Sequence, residues 1–102
     1  MSDQSDLFTL RDAKVREHLS QYAPVWIIDE KVIPEDQSIQ FNVAFRHHIY
    51  GWVNRRYRYD GFNNVLYHKG QTLLSEDKAL EIEVTEPYLT RTVMDLPNAY
   101  GG

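Results

Sequence analysis

Between Ser38 and Tyr50 apolar and polar positions largely alternate. Ile39, Phe41, Val43, Phe45, His47 and Ile49 fall on one side; Gln40, Asn42, Ala44, Arg46, His48 and Tyr50 fall on the other. Successive side chains leave a strand on opposite faces, so a period of two marks a half-buried strand. Past Gly51 the apolar side thins and the stretch turns basic and aromatic, through Trp52, Arg55, Arg56, Tyr57, Arg58 and Tyr59. Gly51 is either a hairpin turn or a bulge in one long strand, and both remain open at the level of sequence.

Other elements follow from local patterns. Residues 1–8 read as a flexible lead. Thr9 is placed as the cap of a helix over about Leu10 to Tyr22, with Asp12 three positions on. Its apolar stripe is Phe8, Val15, Leu19 and Tyr22, and Ala23-Pro24 closes it because the residue before proline is pushed out of the helical region. Val25 to Ile33 reads as a strand, Pro34 to Gln37 as a turn, and Val65 to Lys69 as a return strand after the turn dipeptide Asp60-Gly61. Over 76–85 the pattern fits a short helix capped by Ser75, with a further strand as the alternative. Residues 87–102 form an extended tail with enough apolar groups (Tyr88, Leu89, Val93, Met94, Leu96) to dock on the domain or on a partner. The expectation is one α+β domain over 1–102, its N-terminal helix packed on an antiparallel meander of about four strands.

Composition narrows the classes. With 102 residues, 42% of them hydrophobic, the chain can build one core without metals or disulfides. It has no cysteine, which removes disulfides, thiolate metal sites and cysteine nucleophiles. No apolar run approaches the ~18–20 residues that span a bilayer, and the acidic, polar start does not resemble a signal peptide. A cytoplasmic protein with no membrane partner is expected. The net charge of −4 conceals a segregation. Residues 38–70 hold Arg46, Arg55, Arg56, Arg58 and Lys69 against Asp60 alone, while the segments on either side are acidic.

Candidate chemistry is correspondingly sparse. Adjacent His47 and His48 point to opposite faces of a strand and do not share a metal, so no metal or cofactor site is expected. The serines have no nucleophile-elbow context, and the glycines are too scattered to cradle a phosphate. Catalysis is not expected; the one acid–base candidate would be His48, in a small enzyme. The terminal Gly101-Gly102 is shared with ubiquitin-like and sulfur-carrier proteins, but those alternate two strands, a helix and two strands, and this chain begins with a helix. If the strand keeps its phase through Gly51, then Arg46, His48, Tyr50, Trp52, Arg56 and Arg58 all face away from the core. Trp, Tyr and Arg are the residues enriched at protein interfaces. The leading expectation is a non-enzymatic protein-binding module, an accessory, assembly or regulatory factor that uses this face. A single-stranded nucleic-acid binder on the same face is the alternative. Internal pairing of the arginines with the acidic flanks is the plainer one, and an unpaired edge strand would permit a homodimer.

Overall fold

Helix α1 spans Gln4–Leu19 in the computed structural model of the chain, which describes residues 4–90. It starts well before Leu10, so Thr9 is an interior residue of the helix and not its cap, and much of the expected lead is helical. Gln4–Leu19 contains neither glycine nor proline to oppose a helix, and the early turn buries Leu7 in the core. A 3₁₀ turn over Ser20–Tyr22 follows, and the chain then leaves at Pro24. The buried row of α1 is Leu7, Arg11, Val15 and Leu19, spaced by four, with Phe8 and Tyr22 only partly covered.

Four antiparallel strands come next, in the order β1-β2-β3-β4: β1 Trp26–Ile33, β2 Ser38–His47, β3 Gly51–Asp60 and β4 Val65–Leu73. The β2–β3 connection is a turn over residues 48–50, and Gly51 leaves it with φ +82°, a region that favours a residue without Cβ. That decides between the two readings of Gly51. β4 is longer than expected because the ladder resumes beyond a bulge. Arg56 pairs with Gly70 and Tyr57 with His68, which leaves Lys69 as the extra residue. The short helix α2 covers Glu76–Glu83, and the Ser75 side chain accepts a hydrogen bond from the Lys78 N–H at 3.2 Å. The architecture is α+β, as the pattern of elements implied.

Directly opposite residues in an antiparallel pair share a face. The inner face therefore carries Ile39 with Tyr59, Phe41 with Tyr57, Val43 with Arg55 and Phe45 with Val53. These pack with Leu7, Val15, Leu19, Val25 and Leu89 into the main core under α1. The outer face carries Gln40 with Arg58, Asn42 with Arg56, Ala44 with Asn54 and Arg46 with Trp52. Among the described residues, only its end near the 48–50 turn is covered. There Ile82 of α2 packs on Trp26 and Ala44, flanked by Ile28, Trp52 and Leu74, and the Trp26 indole N–H donates to the Thr85 carbonyl at 3.0 Å. Past α2 the backbone returns to the start of β1, where Val25 N–H donates to Leu89 O and Leu89 N–H to Val25 O, at 2.9 and 3.0 Å. The remainder of the expected tail, 91–102, lies outside the described residues. Among the described residues no helix is long and apolar enough to cross a membrane.

One member of the helix row is a charge. Arg11 is 2% exposed. Its Nη2 donates to Glu30 of β1 at 2.6 Å and its Nε to Asp12 at 2.8 Å. Its guanidinium also lies 4.6 Å from the Phe41 ring centre and 5.1 Å from that of Phe8. Asp12 in turn accepts from the Tyr88 hydroxyl, and burial together with that bond holds the Tyr88 phenol above its ordinary value. By contrast, Lys14–Glu17 and Lys78–Glu81 are exposed pairs at 3.9 and 3.7 Å, worth about 0–1 kcal/mol each.

Two stability predictions follow from these contacts. Arg11→Ala opens a cavity between helix and sheet and is expected to cost about 2–4 kcal/mol in urea denaturation. Arg11→Met refills the volume without the charge and is expected to cost clearly less; an equal loss would show that the ion pairs, not the packing, hold the seam. At Gly61, an added Cβ would collide with the Gln37 carbonyl and lie 2.6 Å from Leu7 Cδ1. Gly61→Ala is expected to lose about 1–3 kcal/mol in the same measurement.

Candidate functional site

The outer face is where the sequence-derived site residues have to be located. Arg46, Trp52, Arg56 and Arg58 all stand on it, because β2 and β3 pair in a register that keeps them in phase across the turn. His48 and Tyr50 do not continue the row. They belong to the turn, where the His48 and Tyr50 rings lie 4.7 and 4.8 Å from the ring of His47. Trp52 is half-buried, its ring centre 5.5 Å from that of Trp26 in the cluster beneath α2. The Arg46 guanidinium covers its ring at 5.6 Å. Arg55 takes the opposite face, as its odd position in the alternation requires. It bonds Gln71 at 2.7 Å and the Tyr57 hydroxyl at 3.0 Å, over the rings of Tyr22 and Phe45.

Away from α2 the described residues leave the outer face open, with Arg56, Arg58 and Lys31 on it and Asp29 at its β1 side. A concavity of about 280 Å³ is lined by Gln40, Arg56, Tyr57, Arg58 and Lys69. Among the described residues no carboxylate lines it, although Gln40 and Arg56 also border an adjoining concavity with Asp29 and Glu30. Gly70 is paired with Arg56, and a Cβ there would make only ordinary van der Waals contact, 3.9 Å from Arg56 Nη2. Arg58 lies 6.0 Å from the ring centre of Tyr67, an exposed residue of β4 opposite it in the ladder. Lys31 faces Gln40 from β1.

The electrostatics of this face are decided by what its cations lack. Among the described residues, every ion pair within 4.0 Å joins groups of the flanking segments: Arg11 with Asp12 and Glu30, Lys14 with Glu17, Lys78 with Glu81. Among the described residues, Arg46, Arg56, Arg58 and Lys69 have none. Asp60, the acid of the middle third, is engaged elsewhere. Its carboxylate accepts from the Asn63 amide at 2.8 Å and from the Phe62 N–H at 3.0 Å, closing the β3–β4 loop. Those bonds, with the Asn63 amide the largest influence and Arg58 a smaller one, hold it below the ordinary carboxylate value against the opposing effect of burial.

Lys69, Gln40 and Tyr67 were not legible as site residues. Tyr67 could have been found by counting register back from Asp60–Val65. Lys69 reaches the concavity at a bulge, and no local pattern announced that bulge. No three His, Asp or Glu side chains gather as a metal site would require among the described residues. No family model, no curated protein and no solved structure matches this chain.

At the hairpin tip, His47 acts as a fold element. Its Nδ1 accepts the backbone N–H groups of Ile49 at 3.0 Å and Tyr50 at 3.4 Å, so the neutral ring carries its proton on Nε2. Burial, then His48 and Arg55, hold its pKa below the ordinary 6.5; Tyr22 and Tyr50 are the other titratable rings against it. A depressed histidine pKa means that folding favours the neutral ring. The associated stability is present above 6.5 and is lost as pH falls through and below that value. An NMR titration is expected to place the His47 midpoint below 6.5, and His47→Phe is expected to flatten the stability change in that window. A midpoint at or above 6.5 would refute the role given to Nδ1.

Proposed function

We propose that the protein is a non-enzymatic binding module that docks an acidic protein partner on the open end of its outer sheet face. The observation that carries this reading is the set of cations on that face with no ion pair among the described residues, although the chain as a whole is acidic. Left in water such cations cost nothing, but several of one sign on one open sheet face create a field that steers an oppositely charged partner. Arginine beside an aromatic ring, as in Arg58 with Tyr67, is also the composition of interface anchors. Trp52 contributes less to docking than its type suggests, since α2 and Trp26 already cover much of it.

Single-stranded nucleic acid is the second reading, favoured by one observation: the exposed ring of Tyr67 beside Arg58, a stacking platform next to a phosphate-binding group. Against it stand the acidic flanks and the lack of a longer basic track.

Capture from a lysate of the native cell at mild salt, followed by calorimetry, tests the docking reading. Arg56→Glu and Arg58→Glu are expected to weaken the captured complex by at least ~2 kcal/mol while leaving the melting temperature within a few degrees. Retention of the same partner by both variants, or no stoichiometric partner for the unmodified chain, would sink the proposal. Fluorescence titration with short oligonucleotides at low and high salt decides the second reading: salt-dependent binding supports it, and no binding removes it.

A further inference from the structure

We infer that the concavity lined by Gln40, Arg56, Arg58 and Lys69 is a phosphate-monoester site that takes a phosphorylated side chain of the partner. The inference rests on the docking reading above and narrows it to one chemical group.

Three cations border one space of about 280 Å³ with no carboxylate among its lining residues. A single carboxylate would leave most of that charge unbalanced. A phosphate monoester brings a charge of about −1.5 to −2 and three strong acceptor oxygens. The donors suit it: two planar guanidinium forks for bidentate contact, one ammonium as a point charge and the Gln40 amide. The backbone supplies the shape. The bulge that leaves Lys69 without a ladder partner brings that residue to the edge of the space, and bulges recur where a sheet re-aims a side chain. A phosphodiester carries one charge per unit, so a nucleic-acid backbone fills the site less well than a monoester does.

The test is a ¹⁵N-resolved NMR titration of the full chain at constant ionic strength. Its ligands are inorganic phosphate, a short phosphoserine peptide, the unphosphorylated twin of that peptide, and a short single-stranded oligonucleotide. Saturable shifts centred on Gln40, Arg56, Arg58 and Lys69 are expected, with the phosphopeptide at least about tenfold tighter than its twin. Lys69→Gln and Arg56→Gln, both exposed and therefore compatible with folding, are each expected to weaken the phosphopeptide about tenfold. Lys78→Gln, on α2 and outside the concavity, should leave the affinity unchanged. Equal affinity for peptide and twin overturns the site but leaves the acidic-docking reading intact. Inorganic phosphate binding as tightly as the phosphopeptide overturns the protein source of the group, and a tighter oligonucleotide overturns the monoester preference. Shifts reproduced by chloride alone overturn the site altogether.

Discussion

The seam between helix and sheet closes around a charge, and much of the molecule is arranged to make that tolerable. Arg11 occupies the position of an apolar residue in the buried row of α1. Removing a guanidinium from water costs several kcal/mol. Here two carboxylates and the ring faces of Phe8 and Phe41 offset part of the cost, while Nη1 is buried without a hydrogen-bond partner among the described residues. Asp12 and Glu30 remain 35% and 38% exposed, so the acids keep part of their hydration and only the weakly hydrated partner is fully withdrawn. The arrangement joins three remote segments. Arg11 belongs to α1, Glu30 to β1, and Tyr88 reaches the same Asp12 from the chain beyond α2. An apolar residue at position 11 would fill the space yet would not fix the rotation of α1 over the sheet in the same way.

That use of charge shapes the opposite face. Glu30 is drawn to the Arg11 side of β1, and Asp60 is committed to its loop. Asp29, by contrast, stays exposed on the outer face opposite Asn42 and lines a concavity together with Arg56. Arg55 is absorbed on the inner face by Gln71, Tyr57 and two aromatic rings. What remains outside is the cationic group around Gln40. Arg46, Arg56 and Arg58 are thus left on the side of the sheet that α1 does not cover.

Helix α2 divides that outer face. It seats Ile82 on Trp26 and Ala44 and draws Trp52 into a small second core. The part of the face it leaves open is the part where Arg56, Arg58 and Lys69 gather. One face therefore serves two ends, apolar packing at the first and uncompensated charge at the second. A flat reading of the basic–aromatic stretch would treat Trp52 and Arg56 as equivalent surface residues. Their surroundings make the first mainly a packing residue and the second a free cation among the described residues.

The sequence by itself determined the α+β class, the meander, and the side of the sheet on which Arg46, Arg56 and Arg58 stand. Strand alternation has a period of two, and an even offset between hairpin partners returns a residue to the same face. The helical reading of 76–85 was legible through Ser75 and the acids after it, because capping is a local interaction. Tertiary structure alone decided that Arg11 is buried, that His48 and Tyr50 leave the row for a turn, that α2 covers Trp52, and that a bulge brings Lys69 beside Arg56. Each of these depends on which distant groups meet, such as Glu30 with Arg11 or Gly70 with Arg56, and such meetings leave no periodic trace in the chain.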